Sequence, residues 1–305
     1  MILYVLRRLL VLIPVWVAAI AVAFLLVHAI PGGPFDTGAL RPPEAQKILE
    51  DRYNLNDPLV SQFASYISNV VRGDLGESLV RRGLSVSDAL ATRIPVSVTL
   101  GVAALVVATV VGIPIGVIAA VKSNRFLDRF LMVGATMAYA LPSFVLAMLL
   151  MLTFGLALGW LPLGGWGSPQ HVILPAFALG LPASGLLARM SRATMLDVLP
   201  ADYVRTARAI GERPARVVIA HAFPNTVATL ATVIAVLAAE LIVGGLVVEL
   251  IFGIPGVGQL MVDSALGSDY TLTLGLIVFY VSIIFFANLI ADITQGVIDP
   301  RVRLT

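Results

Sequence analysis

At 305 residues, 59% hydrophobic and 12% charged, with a mean hydropathy of +0.96, the chain is too apolar for a soluble globular domain and reads as an all-α polytopic membrane protein. Twenty Lys plus Arg against eighteen Asp plus Glu is close to balance, which with no soluble basic domain argues against nucleic-acid binding. The absence of cysteine excludes disulfides, zinc–thiolate sites and iron–sulfur clusters.

Leu9 to Ile30 is a charge-free run of 22 residues, about 33 Å as a helix and long enough for a bilayer core. Arg7 and Arg8 place its start in the cytoplasm. The run is too long for the h-region of a cleaved signal peptide, the competing reading of a basic head before apolar residues. His28 near its end reads as a hydrogen-bonded interfacial residue, since no second His or carboxylate stands at helical spacing.

Pro31 to Arg93 is the one long polar segment, with seven basic and eight acidic residues, and is expected to form a small extracytoplasmic region. Within it Asp57 and Pro58 read as a cap and first turn. Leu59, Phe63, Ile67 and Val70 then recur at helical spacing until Gly73.

Five further apolar runs give six spans in all: 94–121, 130–158, 171–188, 222–254 and 271–291. The chain thus divides into a first span at 1–30, the extracytoplasmic region at 31–93 and a five-helix core at 94–305. Lys122, Arg125 and Arg129 fill one connection and six Arg from Arg189 to Arg216 another, whereas 159–170 and 253–270 hold no Lys or Arg. With Arg301 and Arg303 in the tail, this alternation puts both termini inside and the long polar segment outside. Pro114, Pro142, Pro175 and Pro182, with Gly112, Gly116, Gly180 and Gly185, predict kinked or closely packed spans. Pro175 and Pro182 are expected to shorten the fourth.

Asp202 to Asn225 is a polar, basic island between two apolar runs. Asp202 is placed to cap a short helix from Tyr203 to Ile210, which Gly211 ends in a left-handed conformation. Pro214 suits the first turn of a second helix leading to the fifth span after Pro224. A short exposed helix joined through an elbow to a transmembrane one, with small Ala207 and Ala209 beside Tyr203 and Ile210, has a shape suited to a partner's cleft.

The island also carries a resemblance. Thr206, Ala207, Gly211 and Pro224 fall at the spacing of the cytoplasmic loop of binding-protein-dependent ABC importer permeases, in which Glu-Ala-Ala precedes a Gly and an Ile-x-Leu-Pro. Arg205 stands for the Glu, Thr206 for one Ala, His221 for the Ile and Phe223 for the Leu. RGDLGES at 72–78, VVELIFGIPGVGQL at 247–260 and DPRVR at 299–303 follow in the same order, while PGGP at 31–34 departs from the usual Pro-Gly-Asp-Pro. Together these stretches span nearly the whole chain, which resembles the dipeptide, oligopeptide and nickel permeases.

The resemblance implies six transmembrane helices of the type I importer permease architecture in a bacterial inner membrane. It also implies a second homologous permease, two ATPase subunits carrying ATP and Mg, and an extracytoplasmic substrate-binding protein. Tyr203, Val204, Arg205, Thr206, Ala207, Ile210 and Gly211 would then form the element that couples to the ATPase. Di- or oligopeptides are the expected cargo, with nickel and glutathione as alternatives.

The residues indicate no chemistry in the chain itself. Lys122-Ser123 follows Val121 where a phosphate-binding loop requires Gly, so no ATP site is expected. His28, His171 and His221 lack metal-ligand partners at useful spacing, and Ser184 in LPASG lacks the preceding Gly and a base, so neither a metal nor a catalytic site is expected. Glu240 is the oddest residue of the spans, an acid in an apolar helix, and is expected to line the pathway or bond another helix. Glu249 reads as interfacial, beside a rigid outer turn at Gly253, Pro255, Gly256 and Gly258 that meets the binding protein or simply packs. Asn288 and Asp292, four apart, share a helix face and anchor the last span. An ion-coupled carrier would show repeated halves and more intramembrane ionisable residues, and a scaffold would not need the elbowed helix.

Overall fold

The computed structural model describes residues 2–29, 57–81 and 83–298, so PGGP and DPRVR lie outside the described residues. The described elements are helices, plus one isolated bridge between Glu77 and Ser85. Four are long and apolar enough to cross a bilayer: α1 (Ile2–His28), α3 (Val86–Val121), α6 (Pro169–Val198) and α12 (Tyr270–Ile298). Between α1 and α3 lies the shorter α2 (Leu59–Val71), which starts one residue later than its Asp57 signal suggests, because Pro58 is the capping position. α3 itself begins eight residues before Ile94, with Arg93 and Pro95 inside the helix.

Two bent helices supply the remaining crossings. α4 (Phe126–Ala140) and α5 (Ser143–Leu150) meet at 100°, α5 continuing as a π-helix over Met151–Ala157. Pro142 drives that break by holding Leu141 extended, at ψ 125°. After the short α7 (Asp202–Ala209), α8 (Pro214–Arg216) widens into a π-helix at Val217–Ala222 and then becomes α9 (Phe223–Val243), with a 54° bend between Val227 and Thr229. The π turn sits just ahead of Pro224, whose missing N–H cannot close an α-helical bond to Ala220.

Two expectations fail here. Pro175 and Pro182 do not shorten the fourth span, since α6 runs through both for 30 residues and carries Arg189 and Arg192 in its last third. The fifth apolar run is not one helix either: it breaks at Gly244-Gly245, and α10 (Leu246–Phe252) and α11 (Val257–Leu266) form a hairpin bent by 91°. Arms of seven and ten residues reach about 10 and 15 Å, short of a hydrocarbon core of about 30 Å, so the hairpin enters the bundle without crossing it.

Small residues set the central crossing. A Cβ on Gly112 would lie 2.5 Å from the Ser184 carbonyl oxygen and one on Gly180 2.6 Å from that of Ala104, so α3 and α6 pack backbone to backbone. Leu100, Ala104, Leu179, Leu187, Leu237, Leu241 and Phe252 extend this contact into the main core. At one end of the bundle, here the far end, Phe63 and Tyr66 of α2 pack on Phe24, Leu274 and Ile277. Burial raises the pKa of the Tyr66 hydroxyl, which finds no hydrogen-bond partner among the described residues. Asp269, just before α12, accepts bonds from the Ser78 hydroxyl and from the Leu79 amide (3.2 Å), fastening the RGDLGES segment. At the opposite, basic end, Arg8 pairs with Asp292 at 3.4 Å, joining the first and last spans as the Asp292 position suggested, while Asn288 bonds the Ile284 carbonyl in its own helix.

Candidate functional site

The basic end is built around α7. Its first helical residue is Asp202, not Tyr203, and the capping position is Ala201, with no side-chain cap. Asp202 thus complements the helix dipole from the first turn instead of capping it. Ile210 closes the helix and Gly211 turns the chain at φ +87°, with nothing within 4 Å of a Cβ placed there. The turn therefore needs glycine for its backbone alone.

The two faces of α7 differ. Tyr203, Arg205, Thr206, Arg208, Ala209 and Ile210 are exposed, Ile210 by 72%. Val204 and Ala207 are buried against Ala120 at the end of α3, Met195 of α6, and Val217 and Ala222 of the π turn. Within the set expected to couple to the ATPase, Val204 and Ala207 seat α7 on its own bundle, because positions three apart share the inward stripe, while the other helical members are exposed.

Side chains tie both ends of this corner to the fifth span. Asn225 Nδ2 donates to the Tyr203 hydroxyl at 2.6 Å, joining α7 to the start of α9. Beyond the corner, Glu212 Oε2 lies 3.0 Å from His221 Nε2 and 3.7 Å from Arg216 Nε. His221 is therefore not alone, as its sequence neighbours suggested; the π turn brings it to a carboxylate nine residues earlier. A second pair supports the neighbouring helix ends. Arg192 of α6 grips Asp128 of α4 with two bonds of 2.7 and 2.8 Å, and Asp128 also accepts the Asn124 amide at 2.9 Å.

At the far end the two acids differ in burial. Glu240 is exposed near the end of α9 and has no side-chain partner among the described residues. Glu249, expected at an interface, is 1% exposed. Its Oε1 accepts the Ser97 hydroxyl at 2.6 Å and its Oε2 the Gly258 amide at 2.8 Å, while Ser97 in turn accepts the Val257 amide at 2.8 Å. A carboxylate so enclosed can sit in the hairpin because these donors satisfy it. Gly256 and Gly258 are buried beside it, where a Cβ on Gly258 would meet Leu246 Cα at 2.5 Å. Of the expected outer turn, Gly253 at φ +60° is exposed and Pro255 half-buried, so Gly256 and Gly258 close the hairpin instead of offering a partner surface. A Ser at 97 and a Glu at 249, 152 positions apart, gave no sequence signal of this pairing.

Residues 112–304 match the family described as binding-protein-dependent transport system inner membrane component. The chain belongs to this family. Its curated relatives include the dipeptide transport system permease protein DppB of Bacillus subtilis, 38% identical over 92% of this chain and 91% of that protein. The oligopeptide transport system permease protein OppB of Escherichia coli K12 is 38% identical over 98% and 99% of the two chains. The glutathione transport system permease protein GsiC of Escherichia coli O6:H1 is 39% identical over 98% of each. Among solved structures, the inward-facing MetNI methionine ABC transporter matches with a TM-score of 0.60 at 17% identity, covering 69% of this chain and 96% of its own. The bundle therefore has the fold of an ABC importer permease, the architecture that the island's spacing implied.

Proposed function

We propose that the chain forms half of the translocation pathway of an ATP-driven importer of short peptides in a bacterial inner membrane. The basic end faces the cytoplasm and carries α7 into a cleft of an ATPase subunit. A second permease completes the pathway, two ATPase subunits bind and hydrolyse ATP with Mg, and an extracytoplasmic protein delivers cargo to the far end. The seated corner at Gly211, in a chain 38% identical to a dipeptide and an oligopeptide permease protein, carries this reading.

Force has a defined route through this chain. When the ATPases close on ATP, pressure on exposed Tyr203, Arg205, Thr206 and Ile210 passes through Val204 and Ala207 into the ends of α3 and α6 and into the π turn. Tyr203–Asn225 and Glu212–His221 hold the corner, so α7 and the start of α9 move together, and Gly211 serves as a fixed angle instead of a free hinge. Purification with a second permease, the ATPases and the binding protein, followed by ATP-dependent uptake of a radiolabelled dipeptide into proteoliposomes, tests the assignment. Uptake of glutathione or a metal ion in place of common peptides would reassign the cargo, and uptake by this chain alone would overturn the ABC mechanism.

A further inference from the structure

The spans differ in what they leave uncovered. Leu10 of α1, Val110 of α3, Phe130 of α4 and Phe286 of α12 are all large apolar side chains left exposed, as lipid contact requires. α9 has no exposed large apolar side chain. Its exposed described positions are Pro224, Asn225, Thr229 and Glu240, with Thr232 half-buried between them. Beyond the 54° bend, at 100° per residue, Thr229, Thr232 and Glu240 fall within about 80° of one another, a sector they share with half-buried Val236 and Val243, so the exposed members of this strip are polar. Leu230, Leu237 and Leu241 are buried on the other side, against the bundle core.

Hydrocarbon is a poor solvent for such a strip, since a carboxylate facing lipid at depth costs about 3 kcal/mol or more. Water is the solvent that suits it. Glu240 lies about 25 Å along the helix from Phe223, close to the far end, and is the one acid of the strip.

We infer that the polar strip of α9 lines the aqueous pathway and that the Glu240 carboxylate receives the α-ammonium group of an entering peptide. The inference rests on the peptide-importer reading. Every peptide with a free amino terminus carries that ammonium whatever its side chains, so a single carboxylate recognises the class without selecting a sequence. Beyond it lie the Thr232 hydroxyl and the Thr229 hydroxyl, which donates to the Asn225 carbonyl at 3.3 Å and can still accept.

The chain has no cysteine, so single thiols can be introduced without background in this subunit. In the assembled importer in proteoliposomes, Thr229→Cys and Thr232→Cys should react with a water-soluble, membrane-impermeant maleimide, while Val110→Cys and Phe130→Cys should not. A free-amine dipeptide delivered by the binding protein should slow labelling of Thr232→Cys, and the N-acetylated dipeptide should not. Glu240→Gln should lower dipeptide uptake about tenfold, as expected for loss of a charge-assisted bond, and Glu240→Asp should recover most of it. No labelling of either threonine position in any nucleotide state overturns the strip. Equal protection by both dipeptides, or equal uptake by wild type and Glu240→Gln, overturns the ammonium site. Wild-type uptake of the dipeptide is the separate check on the cargo reading, and its absence would refute that reading while the labelling pattern still judges the strip.

Discussion

The Asp128–Arg192 pair gives the sharpest energetic test of how the basic end is held. Asp128 keeps 4% of its side-chain surface and Arg192 27%, so removing the cation leaves a carboxylate enclosed at the start of α4 with one backbone donor, the Asn124 amide. Breaking a buried pair in this way costs about 3–5 kcal/mol, and the partial exposure of Arg192 places Arg192→Leu near the lower end, about 3 kcal/mol. For a chain of this size that corresponds to a melting midpoint lower by roughly 5 °C. The double variant Asp128→Ala/Arg192→Leu should recover much of the loss, because no unpaired charge remains. Arg216→Ala is the control: that side chain is 73% exposed in its pairing with Glu212, and its loss should cost less than about 1 kcal/mol. Thermal unfolding of the detergent-purified complex, followed by aggregation-independent tryptophan fluorescence, reads these four proteins and the Asp128→Ala single variant that completes the cycle. A midpoint for Arg192→Leu within 2 °C or so of wild type, or strictly additive losses in the double variant, would refute the idea that this pair fastens α4 to α6.

Other consequences follow from the same contacts. Gly211→Val meets no neighbour but must hold φ near +87°, which costs about 1–2 kcal/mol, so ATP-driven uptake should fall severalfold; Gly211→Asn, more tolerant of that region, should fall less, and equal uptake by both would deny that the corner's backbone matters. Ser97→Ala removes the donor to Glu249 and the acceptor of the Val257 amide, a loss of about 1–3 kcal/mol that hydrogen exchange should report as faster exchange at Val257 and Gly258. Unchanged protection there would show that α11 is held by other contacts. Gly112→Leu would force α3 away from the Ser184 backbone, and the protein should fail to accumulate in the membrane, whereas Gly134→Leu, which has open space, should accumulate normally.

Much of this molecule could be read from the order of its residues. Apolar runs of a length that spans a bilayer, separated by loops that alternate in basic charge, announce six crossings, because hydrocarbon tolerates few backbone arrangements other than helices. The island's cadence, a short helix, a glycine, a proline and then a span, was legible because each depends on local backbone chemistry. Gly211 has the left-handed φ that such an elbow requires. Local rules also misled where neighbours outweigh them: Pro175 and Pro182 suggested a short fourth span, yet packing against α3 carries α6 through both.

Which polar groups meet was decided by tertiary structure. Hydropathy ranks Glu240 and Glu249 by their neighbours in sequence, and by that measure Glu240 is the more buried. Folding reverses the order, since the 91° hairpin turns Glu249 onto Ser97 and the amides of α11, while α9 leaves Glu240 on an open face. The same holds for Ala207, a small residue that suits a partner's cleft by its sequence neighbours, whereas folding seats it with Val204 on Ala120, Met195 and Val217. The sequence determines where the chain must cross the membrane and turn, because those costs are paid residue by residue; burial and pairing depend on which helices adjoin, and that is a property of the assembled bundle.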